Sequence, residues 1–259
     1  MRAITIAKEK GVPNEDAVIA KDSLIAVSDG AGGGGVFADQ WSKYLVEHLP
    51  DKPIKTFGAF DKWIDGIWEP FYNDCEEKAK MEGGMLLNKF YDEGSFATLV
   101  AVWGTGHWIS YGDSVAFCYH RQTGILDHSF TKLADFNNPP YLVNCKDPLM
   151  RKGFRHGRFE IDDDCMVFVA SDALAHYILM MYEVANKDKF ADELQEAIKA
   201  QTKNSNFIKL AIRIRKLDFA MKVIRKLQNC RAEIMLATHL ASLDRRGLVG
   251  LDDYSLAIL

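Results

Sequence analysis

The sequence predicts an α+β fold in which antiparallel sheets carry helices on their outer faces. Three observations point there. Strand patterns arrive in runs, helical patterns arrive in blocks between those runs, and no regular βαβ alternation is present to build a doubly wound parallel sheet. The 259 residues suit one domain spanning 1–259, with a helical segment over 173–240.

The elements follow in order. Ile4 to Lys8 and Asp16 to Lys21 read as short strands around a turn at Gly11, Pro13 and Asn14. Ser23 to Ser28 is a strand that runs into Asp29-Gly30 and the glycines Gly32 to Gly35. A helix follows from Val36 to His48, with Trp41, Leu45 and Leu49 at helical spacing. Phe57 to Met81 repeats that pattern, with Phe60, Trp63, Ile64, Ile67, Trp68 and Phe71 on one face. Ser95 to Trp103, His107 to Tyr111 and Val115 to His120 form a meander, turning at Gly104-Thr105-Gly106 and at Gly112-Asp113. Leu133 to Gly157 reads as a loop containing Pro139, Pro140 and Pro148. Cys165 to Ala170 is an apolar strand ending at Ser171-Asp172, Ala173 to Leu240 is mostly helical, and Tyr254 to Leu259 is a last strand.

Composition narrows the function. The net charge of -4 is wrong for a general nucleic-acid binder, which needs concentrated positive charge. The five cysteines are odd in number and include no CxxC pair, so neither a disulfide framework nor a zinc knuckle is expected; reduced thiols in the cytoplasm are. The histidines show no HxxxH or HExxH spacing, which gives no support to a zinc hydrolase. The N-terminal MRAITIAKEKG is too short and polar for a signal peptide, and no apolar stretch reaches the roughly 20 residues that span a bilayer, so no membrane association is expected.

The acidic residues are placed suggestively. Asp29 and Asp172 end strands, Asp252 precedes one, and Asp16 begins one. Carboxylates at neighbouring strand ends converge on one rim of a sheet, where they repel one another unless cations lie between them. Hard ions such as Mg²⁺ and Mn²⁺ prefer such oxygen ligands. Taken singly, Asp-Gly reads as a hairpin turn, the NED segment as a solvated turn and Asp252-Asp253 as surface charge. Their order is what distinguishes them.

That order is Asn14-Glu15-Asp16-Ala17, Ser28-Asp29-Gly30-Ala31-Gly32-Gly33, Gly94-Ser95-Phe96-Ala97-Thr98, Gly112-Asp113-Ser114, Ala170-Ser171-Asp172-Ala173-Leu174 and Asp252-Asp253-Tyr254-Ser255. The succession resembles the motifs of the type 2C metal-dependent serine/threonine protein phosphatases, over essentially the whole chain. The resemblance implies a four-layer αββα sandwich, two antiparallel sheets flanked by helices. It implies two Mg²⁺ or Mn²⁺ ions, with a third in some members. Asp29 would bridge the pair, the Gly30 carbonyl would add to one ion, and Asp172 and Asp252 would hold the other. Glu15 and Asp16 would act through bound waters, and Asp113 would serve the third ion. Asp252 is preferred to Asp253 because the family's ligand stands three residues before a serine or threonine, here Ser255. The implied reaction is hydrolysis of phosphoserine or phosphothreonine by a water activated between the ions, without a covalent phosphoenzyme. The implied partners are a phosphorylated protein substrate and a cognate serine/threonine kinase. A catalytically degenerate module that binds a phosphoprotein or kinase, and a hydrolase of small phosphate esters, are the alternative readings.

The chain also departs from the pattern. The family's phosphate-binding arginine, four residues before the glutamate of NED, is Gly11, leaving Lys10 or Lys8 as the nearest cations; Lys10 is the candidate for substrate binding. Val115 replaces the arginine after GDS, Ala173 replaces a glycine, and Ala31 stands where some members have histidine. Elsewhere, Lys203 to Lys226 is strongly basic, with Asp218 its lone acid, and reads as the solvated side of amphipathic helices. The Leu133 to Gly157 loop, with Lys152, Arg155 and His156, falls where the family carries a flap beside the active site.

Overall fold

The computed structural model describes residues 1–33, 35–213 and 217–259. Gly34 of the glycine run, and Arg215 and Lys216 of the basic stretch, lie outside the described residues. In chain order the strands and helices are β1 (Arg2–Ile6), β2 (Asp16–Lys21), β3 (Leu24–Asp29), α1 (Ala38–Glu47), α2 (Phe57–Glu82), α3 (Gly84–Glu93), β4 (Phe96–Ala97), β5 (Leu99–Trp103), β6 (His107–Tyr111), β7 (Val115–His120), β8 (Leu126–His128), β9 (Val143–Asn144), β10 (Phe154–Arg158), β11 (Cys165–Ala170), α4 (Asp172–Ala185), α5 (Ala191–Lys199), α6 (Ser205–Ala211), α7 (Arg225–Asn229), α8 (Glu233–Asp244) and β12 (Tyr254–Ile258).

Two five-stranded sheets carry the architecture. One runs β1-β12-β11-β7-β8 and the other β10-β6-β5-β3-β2, every pairing antiparallel. Side chains alternate across a strand, and both faces of these sheets are covered, so the central strands read as continuous apolar runs. On β3, Leu24 and Ala26 face α1–α3, while Ile25 and Val27 face the other sheet. On β11, Met166, Phe168 and Ala170 face the helices α4–α8, while Val167 and Val169 face inward. Three apolar layers result, one between the sheets and one under each helical layer. This is the four-layer αββα sandwich. No helix among the described residues is long and apolar enough to cross a membrane.

The boundaries show what local pattern conceals. The Ser95 to Trp103 run breaks at Thr98: Phe96 and Ala97 pair with β9, and Leu99 onward pairs with β3 and β6. The Leu133 to Gly157 stretch is not all loop. It holds a 3₁₀ turn at Leu133–Asn137, the short β9, a second 3₁₀ turn at Arg151–Gly153 and the edge strand β10. β1 ends at Ile6 rather than Lys8, and α3 has no counterpart in the pattern reading. The first long helix starts at Ala38, after Phe37 in a left-handed conformation. Trp41, Leu45 and Leu49 are buried as their spacing predicts. In α2, Phe60, Ile64 and Phe71 are buried, while Trp63, Ile67 and Trp68 pack partly buried against the same cluster.

Ile25 is fully buried between the sheets. Ile25→Ala is expected to cost about 2–5 kcal/mol of stability through lost contacts and a residual cavity. Met85→Ala, at a side chain 90% exposed, is expected to stay within about 0.5 kcal/mol. Urea unfolding of both variants checks the contrast.

Candidate metal centre

Antiparallel pairing brings the ends of many strands to one rim. Asp16 opens β2 directly opposite Asp29, which closes β3. Thr98 lies beside that end of β3, its N–H donating to the Asp29 carbonyl at 2.8 Å and its hydroxyl accepting from the Asp29 N–H at 3.2 Å. Asp113 occupies the β6–β7 turn. Asp172 is the first residue of α4, immediately after β11, and Asp252 precedes β12. All of these turns lie at the same end of the sandwich. The carboxylates of Asp16, Asp113, Asp172 and Asp252 each act electrostatically on Asp29.

Their environment opposes negative charge. Asp16 is buried, and among the described residues neither carboxylate oxygen has a hydrogen-bond partner. Burial, followed by Asp172 and Asp253, pushes it up to about 7; the nearby Ser255 and Ser171 hydroxyls oppose this without forming a hydrogen bond of good geometry. Burial and then the other acids raise Asp29 well above the usual carboxylate range. Burial and Asp172 push Asp113 up to about 7, with Arg155 opposing. Burial and Asp172 take Asp252 to about 6, with Lys203 opposing. A buried, unpartnered carboxylate among other acids is what a cation-binding rim requires, so the donor set fits divalent ions with oxygen ligands. Among the described residues, no three of these carboxylates bring oxygens within 4.8 Å of one another.

The surroundings hold the rim in place. Ser28 donates to the Thr98 carbonyl at 2.6 Å, and the Thr98 and Ser114 hydroxyls meet at 2.7 Å. The Ser171 hydroxyl accepts from the Ser255 N–H at 3.0 Å, and Ser255 donates to Thr5 at 2.8 Å. The small hydroxyl residues of the motifs are thus buried braces that tie neighbouring strand ends together. Asp253 has a similar role. Its two oxygens accept from the N–H groups of Lys8 at 2.6 Å and Glu15 at 2.9 Å, clipping the β1–β2 turn to the start of β12. Asp252 acts on Asp29, whereas Asp253 directs both its oxygens to these N–H groups and acts on Asp16.

Gly30 is required by close approach to backbone, whereas at Gly32 only the flexible end of the Glu15 side chain would have to shift. A Cβ on Gly30 would lie 2.7 Å from the carbonyls of both Ala38 and Glu15, and one on Gly32 would lie 1.9 Å from Glu15 Oε1. The Gly30 N–H donates to the Glu15 carbonyl at 3.0 Å, joining two motifs directly. The Glu15 carboxylate is held by Lys8 at 3.2 Å.

The cations are arranged differently from the sequence expectation. Lys10 sits exposed on the β1–β2 turn, whereas Lys8 reaches the rim through Glu15. Gly11 has φ +87, a left-handed turn that disfavours an arginine. Val115 is fully buried under the helices. Arg155 supplies the positive charge instead. It extends from β10, donates to the Gly112 carbonyl, stacks over Phe130 at 4.9 Å and faces Asp113. The pattern reading placed Arg155 only within a loop; its pairing through β10 to β6 is what delivers it here. A cavity of about 230 Å³ adjoins this corner, lined by Asp113, Phe130, Thr131, Tyr141, Lys152 and Arg155 among others.

No family model matches the chain, and no curated protein matches it. Solved structures do. The catalytic domain of the serine/threonine protein phosphatase PstP, in complex with two manganese ions, has a TM-score of 0.50 at 15% identity, over 99% of this chain and 95% of that one. PppA, a key regulatory component of the T6SS in Pseudomonas aeruginosa, has a TM-score of 0.51 at 15% identity, over 99% and 95%. A bacterial serine phosphatase has a TM-score of 0.50 at 12% identity, over 99% and 95%. The chain therefore has the type 2C phosphatase fold that its motif order implies.

Asp16 and Asp113 rise from 3.8 to about 7 on folding. Each then contributes stability that is complete below pH 3.8 and lost as the pH rises through about 7, because the folded state holds protons that the unfolded chain releases. In chelator-treated protein, the urea midpoint is expected to fall between about pH 5 and about pH 8. Asp16→Asn is expected to flatten that fall. A midpoint that rises over the range in the parent, or an Asp16→Asn profile as steep as the parent's, contradicts the assignment.

Proposed function

We propose that this protein is a cytoplasmic, metal-dependent protein phosphatase that hydrolyses phosphoserine and phosphothreonine in a protein substrate phosphorylated by a cognate kinase. One observation carries the reading: a buried carboxylate, Asp16, has no hydrogen bond of good geometry to either oxygen among the described residues and stands among acids that raise one another's pKa. At neutral pH such a rim needs cations or protons to offset its mutual repulsion. Asp29, Asp172, Asp252 and the Gly30 carbonyl are the proposed direct ligands of two Mg²⁺ or Mn²⁺ ions. Asp16 and Glu15 are proposed to act through waters, and Asp113 to serve a third ion. When bound, the ions neutralise charge on the phosphoryl oxygens and ease deprotonation of an attacking water. The free thiols of all five cysteines agree with a reducing compartment.

The chain's own side chains define the substrate side. Arg155, held by Gly112 and Phe130 beside Asp113, is proposed to bind the substrate phosphate, for which a guanidinium offers a forked pair of donors. Lys8 adds a second positive charge at the opposite side of Glu15. The cavity beside Arg155 offers room for the residues flanking a phosphorylated side chain, and Lys152 gives its rim further positive charge. The left-handed Gly11 and the buried Val115 favour, as a second reading, a module that binds phosphoproteins without turnover.

Hydrolysis of p-nitrophenyl phosphate and of phosphopeptides is expected to require Mn²⁺ or Mg²⁺ and to fall to background in Asp29→Asn and Asp172→Asn. Manganese binding without hydrolysis of either substrate selects the binding module. Hydrolysis confined to small esters selects the small-molecule enzyme. Arg155→Ala is expected to lower kcat/KM for phosphopeptide by roughly tenfold to a hundredfold, the weight of a charge-assisted hydrogen bond, with partial rescue by Arg155→Lys. Steady-state kinetics with each variant reads this out.

A further inference from the structure

We propose that Cys118, His120 and Cys165, completed by Asp162, form a zinc site at the end of the sandwich opposite the carboxylate rim. β7 leaves the rim at Val115 and reaches His120 five residues later, roughly 17 Å away at the rise of a strand. β11 runs the other way, so its first residue, Cys165, lies across from His120, and Val167 lies across from Cys118. Paired residues share a face, and Cys118 and Val167 both face the layer between the sheets. Cys118, His120 and Cys165 therefore gather at the open end of that layer.

The ligand atoms are close to a coordination shell. Cys165 Sγ lies 3.3 Å from His120 Nδ1, and Cys118 Sγ lies 3.9 Å from His120 Nε2. One ligand atom from each of the three lies within 4.8 Å of the others. Around a tetrahedral zinc a sulfur and a nitrogen ligand stand about 3.5 Å apart, close to the Cys165–Nδ1 separation, whereas the 3.9 Å contact of Cys118 is to the other ring nitrogen. Asp162 Oδ1 is 3.1 Å from Cys165 Sγ but lies outside the 4.8 Å cluster, so it would have to swing in to become the fourth donor. Asp127 of β8 completes the arrangement. Its Oδ2 lies 3.0 Å from His120 Nε2, and a carboxylate accepts, so Nε2 carries the proton and Nδ1 presents its lone pair toward Cys165. A carboxylate behind a histidine is the usual means of orienting an imidazole ligand.

The chemistry selects the ion. Two thiols and an imidazole are soft and borderline donors, which suit zinc and do not suit Mg²⁺ or Mn²⁺. With Asp162 drawn in as the fourth donor, the site would be closed and structural rather than catalytic. Bound there, an ion would fasten β7 to β11 and to the loop before β11. The absence of a CxxC pair hides the site in the sequence, since its sulfur ligands come from two strands and Cys165 is 45 residues beyond His120.

The test uses the full chain, stripped with chelator and titrated with Co²⁺ and then Zn²⁺. One equivalent of Co²⁺ is expected to give a thiolate-to-cobalt charge-transfer band in the near ultraviolet and strong visible bands of tetrahedral cobalt, both abolished by Zn²⁺. These bands are expected to vanish in Cys165→Ser and His120→Ala and to persist in Asp29→Asn, which separates this site from the oxygen-ligand rim. Asp127→Asn keeps every ligand and is expected to weaken Co²⁺ binding roughly 10–100-fold. Zn²⁺ is also expected to slow alkylation of the half-exposed Cys165 in the native protein. Absence of the charge-transfer band in the parent, its survival in both Cys165→Ser and His120→Ala, or ready air oxidation to a Cys118–Cys165 disulfide that Zn²⁺ does not prevent would each overturn the proposal.

Discussion

Mutual repulsion among carboxylates at one rim of the sandwich is the constraint to which the rest of the structure answers. Asp29 feels Asp16, Asp172, Asp113 and Asp252 while largely removed from water. Charges so placed destabilise a fold unless cations or protons neutralise them. A chain that tolerates this arrangement must hold the strand ends together by other means. The three apolar layers do so, because burial on both faces of both sheets locks the register of every central strand.

The polar bracing at the rim is local and complementary. Serine and threonine hydroxyls link β3, β5, β7, β11, β12 and β1 without adding charge. Asp253 accepts two backbone N–H groups, so its charge is satisfied by the turn it clips. Gly30 and Gly32 let β3 pass within contact of Glu15 and α1. Each device lowers the cost of keeping unpartnered acids buried, and none of them supplies a positive charge in the centre.

Positive charge instead stands at the periphery. Lys8 faces Glu15, Arg155 faces Asp113, and Lys203 acts on Asp252. Arg155 arrives from an edge strand that exists only because residues 154–158 pair with β6. Local pattern could not show this, since the prolines and short turns before it break any period. The placing of Arg155 beside Asp113 therefore depends on contacts across more than forty residues.

Much was legible in the chain itself. The strand-end acids, the glycine turn after Asp29, the buried face of α2 and the apolar runs of β3 and β11 follow from side-chain type and period alone, because those features are set by neighbours along the chain. Other features depend on partners distant in sequence, and only the tertiary structure decided them. The break at Thr98 follows from competition between β9 and the main sheet for the same run. The clip from Asp253 to the Lys8 and Glu15 N–H groups follows from the packing of the first turn against the start of β12. The meeting of Cys118, His120 and Cys165 follows from antiparallel register. Periodicity specifies which face of a segment turns inward; register and topology specify what it meets there, and that is where the chemistry of this protein is set.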